Sequence, residues 1–335
     1  MILPVTPLSP PIVIAHRGAS GLRPEHTLAA YDLAIEQGAD FIEPDLVPTK
    51  DDVLVARHEN YIDETTDVAA HPEFADRRTT RTIDGQTMTG WFVEDFTLAE
   101  LKTLRAKERL PDLRPANTAF DGQFEIPTLA EIIALAKRRS TETGRTIGIY
   151  PETKHPTYFA QIGHPTDLLL VAALREAGWD SDRAPVFIQS FEVANLKRLH
   201  GLTKVRLIQL LAGRGGPADG AAPSYAQMIT PAGLRAVTAY AYGIGPDKAM
   251  LWNGTTPTTL VRDAHALGLR LHPWTYRAEN QFLPDRFRNG TDPAAQGDVA
   301  AEIAAGLRLG IDGFFTDYPA TGVAARAAAR AKPSE

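Results

Sequence analysis

The sequence predicts an α/β fold in which one (β/α)8 barrel carries a long insertion after its second strand, and three observations predict it. From Ile12 onward, short β-branched runs alternate with amphipathic helical patterns, the signature of βα units around a parallel sheet. The strand-like runs number about eight, the count at which such a sheet closes on itself. Between the second and third runs, the spacing from His58 to about Pro127 is far longer than a βα unit needs.

The first strand, in "IVIAHRGAS", ends on His16 and Arg17, after which Gly18 lets the backbone pass close to a ligand. Thr27 in "RPEHT" caps a helix whose Leu28, Tyr31 and Ile35 share a face, and Gly38 stands where a C-terminal glycine ends it. "DFIEPDLV" is the second strand. "PTKDDVLVARHE" then supplies a turn at Thr49 to Asp52 and a short returning strand that brings His58 back to the barrel mouth. The insertion, about residues 59–127, is predicted on the active-site side, with ordered turns and a helix in "DGQTMTGWFVEDFTLAELKTL". Its Trp91 and Phe92 either close over a ligand or anchor the excursion to the barrel, since a long loop needs packing of its own. Later strands follow in "TIGIYPE", "PVFIQSF", "VRLIQLL", a weaker "AYAYGIG", "LRLHPWTY" and "DGFFTDY". Between them lie helices in "TLAEIIALAKRRS", "TDLLLVAALREAG", "TTLVRDAHALG" and "VAAEIAAGLRLG", several starting on Thr and ending at Gly. "VAARAAARAKPSE" is a last helix with a fraying, charged end, and residues 1–335 are expected to form a single domain.

Composition excludes several functions. With 44% hydrophobic and 23% charged residues, the chain has no apolar run near the roughly 18 residues that a membrane helix needs, so no integral membrane segment is expected. A formal charge of −6 argues against a broad nucleic-acid-binding face, so any anionic ligand must be met locally. The absence of cysteine removes disulfides, thiolate metal sites and a thiol nucleophile. The opening "MILPVTPLSPPIV" lacks the basic and continuous apolar regions of an export signal.

The chemistry gathers at strand ends. Period-2 alternation puts Phe41, Glu43, Asp45 and Val47 on one face of the second strand, so two carboxylates share an otherwise apolar inward surface. Burying neighbouring like charges is costly without a cation between them, and oxygen-rich sites suit Ca2+ or Mg2+; salt bridges to barrel lysines or arginines are the other way to satisfy them. On the third strand Tyr150, Glu152 and Lys154 share a face, and Glu152 completes a three-carboxylate cluster. Two histidines beside such a site, His16 and His58, with Arg17 and Lys154 to meet negative charge, match the needs of phosphoryl-oxygen cleavage: a general base, a general acid and electrophilic stabilisation.

The motifs "AHRGASGLRPEHTLAAY", "GADFIEPDLVPTKDDVLVARHE", "PETKHP", "QSF" and "GIDGFFTDYP" occur in barrel order over nearly the whole chain, and together they resemble the glycerophosphodiester phosphodiesterase family. The "PEHT" form and the long insertion are most similar to its longer, periplasmic or secreted branch. The resemblance implies hydrolysis of glycerophosphodiesters such as glycerophosphocholine or glycerophosphoethanolamine to sn-glycerol 3-phosphate and an alcohol. It implies His16 and His58 as catalytic residues; of the two, His58 is preferred as the acid because its connection can follow the leaving group. It implies Glu43, Asp45 and Glu152 as ligands of one divalent cation, Ca2+ in preference to Mg2+, and Arg17 and Lys154 as phosphate-binding groups. Trp274 in "HPWTYR" matches an aromatic position near the substrate, with core packing the alternative. Gln189 and Asp317 match motif positions in which they either support the site or touch substrate. Glu59 stands where the family often has Asp and keeps its charge. The family further suggests that the attacking group is the substrate's own glycerol hydroxyl, giving a cyclic phosphate that water opens. Three other readings compete: a lysophospholipase D or sphingomyelinase D-like phosphodiesterase, a magnesium-dependent lyase or aldolase, and a non-catalytic phosphodiester-binding protein.

Overall fold

Eight strands run parallel around one axis: β1 (Ile12–His16), β2 (Phe41–Glu43, resuming as Asp45–Pro48), β3 (Gly148–Ile149, resuming as Glu152–Thr153), β4 (Phe187–Ser190), β5 (Arg206–Leu211), β6 (Gly243–Pro246), β7 (Arg270–Leu271) and β8 (Gly313–Thr316). This computed structural model describes residues 10–331; most of the proline-rich opening and the charged C-terminal tip lie outside the described residues. Strands β8, β1, β2 and β3 pair in one row, and β7, β6, β5 and β4 continue onto the second halves of β3 and β2. Parallel bridges Ile149 to Val186 and Tyr276 to Thr316 close the circle, so the structure is the predicted (β/α)8 barrel.

Alternation along each strand separates two apolar layers. Ile14, Tyr150, Phe187, Ile208 and Phe315 fill the barrel, with Tyr150 ring centroids 5.0 Å from both Phe187 and Phe315. Their sequence neighbours Val13, Ile149, Ile188, Leu207 and Phe314 point outward and pack under the helices. The helices begin where local chemistry allows. Thr27 accepts a bond from the Ala30 amide to start Leu28–Glu36, and Thr128 with Glu131 forms a capping box for Leu129–Thr143.

Gly18 also has a cause within the fold: its φ is +88°, and a Cβ there would lie 2.6 Å from the Ala30 backbone, so the close approach of the first helix demands a glycine.

Beyond β2, Leu54–Ala56 returns antiparallel to Asp45–Pro48 and delivers His58 to the mouth. The following segment builds a hairpin, Thr79–Ile83 with Gln86–Gly90, and a short helix, Leu98–Leu101. It has a core of its own, in which Ile62, Phe74, Trp91, Val93 and Phe96 meet Val47 and Val55 from the barrel side. Trp91 Nε1 donates to the Phe74 carbonyl at 2.6 Å and Phe92 is fully buried, so both anchor the segment; neither closes over a ligand.

Candidate active site

Parallel register assembles the site. His16 on β1 stands opposite Glu43, Asp45 opposite Glu152, and Glu152 opposite Gln189 on β4. The change of partner within β2 falls at Pro44, which has no N–H to extend a ladder. A cavity of about 150 Å3 opens at these strand ends, walled by His16, Arg17, Glu43, His58, Glu152 and Lys154. Trp274 lines it too, with its indole donating to the Gly245 carbonyl at 2.7 Å and its ring edge-on to Phe191 at 5.7 Å. Asp45 stands behind this wall, its Oδ2 2.9 Å from His26 Nε2 and 3.3 Å from Arg17 Nε.

Glu43, Asp45 and Glu152 each offer an oxygen within 4.8 Å of the others', and all three are buried. Burial and the neighbouring Asp45 raise Glu43 well above the usual carboxylate range and Glu152 to about 8, even with Lys154 Nζ 3.1 Å from Glu152. Asp45 goes the other way: against its burial, His26, Lys154 and Arg17 hold it ionised. Three such groups cannot all ionise without further positive charge. Gln189 donates from Nε2 to Glu43 at 3.0 Å, and its Oε1 is buried without a partner. An all-oxygen set with excess protons and an orphaned carbonyl fits a hard divalent cation, with Glu43, Asp45 and Glu152 as the holding groups. Binding must displace protons from Glu43 and Glu152, so affinity for a divalent cation is expected to rise with pH through about 8, where Glu152 loses its proton unaided. Calorimetric titration at a series of pH values measures this, and a pH-independent affinity would contradict it.

His16 is fixed through Nδ1, and His58 has a carboxylate beside its own. In His16 this atom is 2.6 Å from Asp317 Oδ1, and Asp317 Oδ2 is itself held by Arg114 at 2.5 Å and Arg277 at 3.2 Å. His58 Nδ1 lies 3.1 Å from Glu59 Oε1. That leaves Nε2 of each ring for a ligand. Burial and the Arg17 charge lower His16 to about 4 despite Asp317. His58, whose side chain is 29% exposed, is lowered well below the usual range by desolvation, Arg17 and Lys154. Arg17 is a rigid cation, its Nη1 3.1 Å from both Glu25 oxygens.

All the candidate residues named from sequence thus converge, although Asp45 is set back. Others were missed. Glu25 and His26 read only as part of a turn, yet they hold Arg17 and Asp45. Arg114 and Arg109, which reach Asp317 and Glu25 from the insertion, carry no local signal. Phe191 was within reach, one residue past Gln189 and Ser190 in the quoted "QSF".

Residues 16–321 match the family model described as the glycerophosphoryl diester phosphodiesterase family. A glycerophosphodiester phosphodiesterase of Arabidopsis thaliana is 38% identical over 327 residues, covering 92% of this chain and 84% of that protein. One of Haemophilus influenzae is 32% identical over 342 residues, covering 93% and 88%. Among solved structures, an Oleispira antarctica phosphodiesterase in complex with the product sn-glycerol-3-phosphate superposes with a TM-score of 0.61 at 21% identity, over 94% of this chain and 96% of that one. Among the described residues no helix is long and apolar enough to cross a membrane.

Proposed function

The chain belongs to the glycerophosphoryl diester phosphodiesterase family and is a phosphoric diester hydrolase, and from that premise we propose that it converts glycerophosphodiesters such as glycerophosphocholine and glycerophosphoethanolamine to sn-glycerol 3-phosphate and the free alcohol, with His16 and His58 as the acid–base pair. The observation that carries this reading is the meeting, in one small cavity, of two histidines, each with a carboxylate at Nδ1, with two cations and a carboxylate cluster. Charged walls, with Arg17, Lys154 and both histidines around the opening, favour a polar substrate over a lysolipid.

Arg17 and Lys154 neutralise the bound phosphate. Their charge is part of what holds His58 neutral in the free protein, so an arriving phosphodiester anion offsets them and favours the protonated ring. His58 at the rim then gives its Nε2 proton to the departing alcohol oxygen as the P–O bond breaks. His16, oriented by Asp317, takes the proton of the attacking hydroxyl as the new P–O bond forms. The attacker is the glycerol hydroxyl of the substrate, and water opens the resulting cyclic phosphate. A divalent cation held by Glu43, Asp45 and Glu152, Ca2+ by preference, would supply charge stabilisation at the phosphoryl oxygens. Trp274 bounds the substrate on the apolar side. Residues 1–335 act as one unit with the 59–127 insertion on the active-site side, a placement supported by Arg114 and Arg109 reaching Asp317 and Glu25. A periplasmic or secreted setting follows from the branch that the motifs resemble.

Product analysis tests the direction of cleavage. Glycerophosphocholine with Ca2+ is expected to yield sn-glycerol 3-phosphate and choline; phosphocholine and glycerol would refute the proposed geometry.

A further inference from the structure

Behind His58 a chain of charges leads into the insertion. Glu59 puts Oε1 3.1 Å from His58 Nδ1 and Oε2 2.8 Å from His155 Nε2, and His155 Nδ1 lies 2.6 Å from Asp84 Oδ2. Both ring nitrogens of His155 therefore face carboxylates, and an imidazole donates from both only as the cation. Consistent with that, and against its burial, the bonds to Asp84 and Glu59 raise His155 to about 9.

Asp84 opens the two-residue Asp-Gly turn between Thr79–Ile83 and Gln86–Gly90 at φ +49°, the geometry such a hairpin turn itself requires, and so projects from the hairpin's tip; His155 starts the helix Pro156–Gln161 at φ +44°. Non-glycine residues adopt this left-handed region at a cost and concentrate where surrounding contacts or function require it. The side chains of Asp84 and Glu59 are 29% and 34% exposed, and ion pairs at such a rim add little to stability. Orientation of the neighbouring His58 is one consequence open to them.

We propose that Asp84 and His155 are positioning residues: the tip of the insertion's hairpin, acting through His155 and Glu59, fixes the His58 ring at the mouth of the active cavity. The inference rests on the role given to His58 above. A different role is open to the same residues, because Asp84 and His155 also wall a second cavity of about 250 Å3 that shares Glu152, Lys154 and Phe191 with the first. There they would touch the alcohol portion of the substrate directly.

The two roles separate in kinetics. Asp84→Asn and His155→Asn are made alone and in a His58→Ala background, and kcat, KM and Ca2+ affinity are measured with glycerophosphocholine and with the uncharged-alcohol ester glycerophosphoglycerol. Positioning predicts that each single variant loses about tenfold in kcat on both esters, with KM and Ca2+ affinity within about twofold, and that neither adds to the loss caused by His58→Ala. An equal further loss in the His58→Ala background, an unchanged kcat, or a KM rise confined to the choline ester would overturn the proposal, the last by making Asp84 and His155 a contact for cationic alcohols. Near wild-type turnover by His58→Ala alone would instead remove the histidine assignment itself, and the inference with it.

Discussion

Replacing His16 or His58 by alanine is expected to lower kcat on glycerophosphocholine by about 100- to 10,000-fold, the range over which a well-placed acid or base acts. Neither change should unfold the protein. Loss of the His16 ring leaves Asp317 still paired with Arg114 and Arg277, so no uncompensated charge is buried. His58 is 29% exposed at the rim, where truncation leaves no closed void. Thermal melts of both variants close to the wild type, together with the kinetic loss, would assign the effect to chemistry. The leaving group then separates the roles. A p-nitrophenyl ester departs without protonation, so the His58→Ala loss should largely vanish on it while the His16→Ala loss persists. Turnover within a few-fold of wild type for either variant on glycerophosphocholine would contradict the acid–base pair.

Glu152→Gln has an equally large expected effect and a sign that distinguishes a cation ligand from a structural counter-ion. If Glu152 served only to pair with Lys154, the amide would strand a buried ammonium and destabilise the protein. Burial and Asp45 hold Glu152 up even with Lys154 beside it, and although Glu152 is the largest charge favouring the Lys154 ammonium, Asp45 and Glu59 favour it too and remain in the variant. A carboxyl raised in the folded state costs stability as pH climbs above its unfolded value, and that cost grows until the folded value is passed. The amide removes this cost. Cation-free Glu152→Gln is therefore expected to be at least as stable as the cation-free wild type, with the difference widening from pH 5 to about 8. Added Ca2+ should raise the melting temperature of the wild type far more than that of the variant, because affinity falls by at least the roughly 10- to 100-fold seen when mere supporting partners of ligands are lost. Equal stabilisation of both by Ca2+ would remove Glu152 from the ligand set.

The features legible in the sequence were those with a local cause. Alternation in "DFIEPDLV" placed Glu43 and Asp45 together, and parallel register then needed only the neighbouring strands to bring up His16 and Glu152. The weak run "AYAYGIG" reflects a real constraint. Its strand is Gly243–Pro246, where a Cβ on Gly243 would lie 2.5 Å from the Arg270 carbonyl and one on Gly245 2.7 Å from Leu210, so packing demands glycines that dilute the strand signal. Residues that act by pairing across the fold left no pattern. Arg114 meets Asp317 across 203 positions of sequence, and Asp84 meets His155 across 71. Periodicity and capping reach only a few residues, so nothing in "LRPAN" or "TIDGQ" announced these contacts.

The central claim is that one divalent cation, held by Glu43, Asp45 and Glu152, works with two histidines. It is tested most directly by following choline release from glycerophosphocholine after exhaustive chelation and stepwise return of Ca2+. The expected result is loss of turnover on chelation and full recovery at one bound Ca2+ per chain, and turnover that survives chelation would contradict the account.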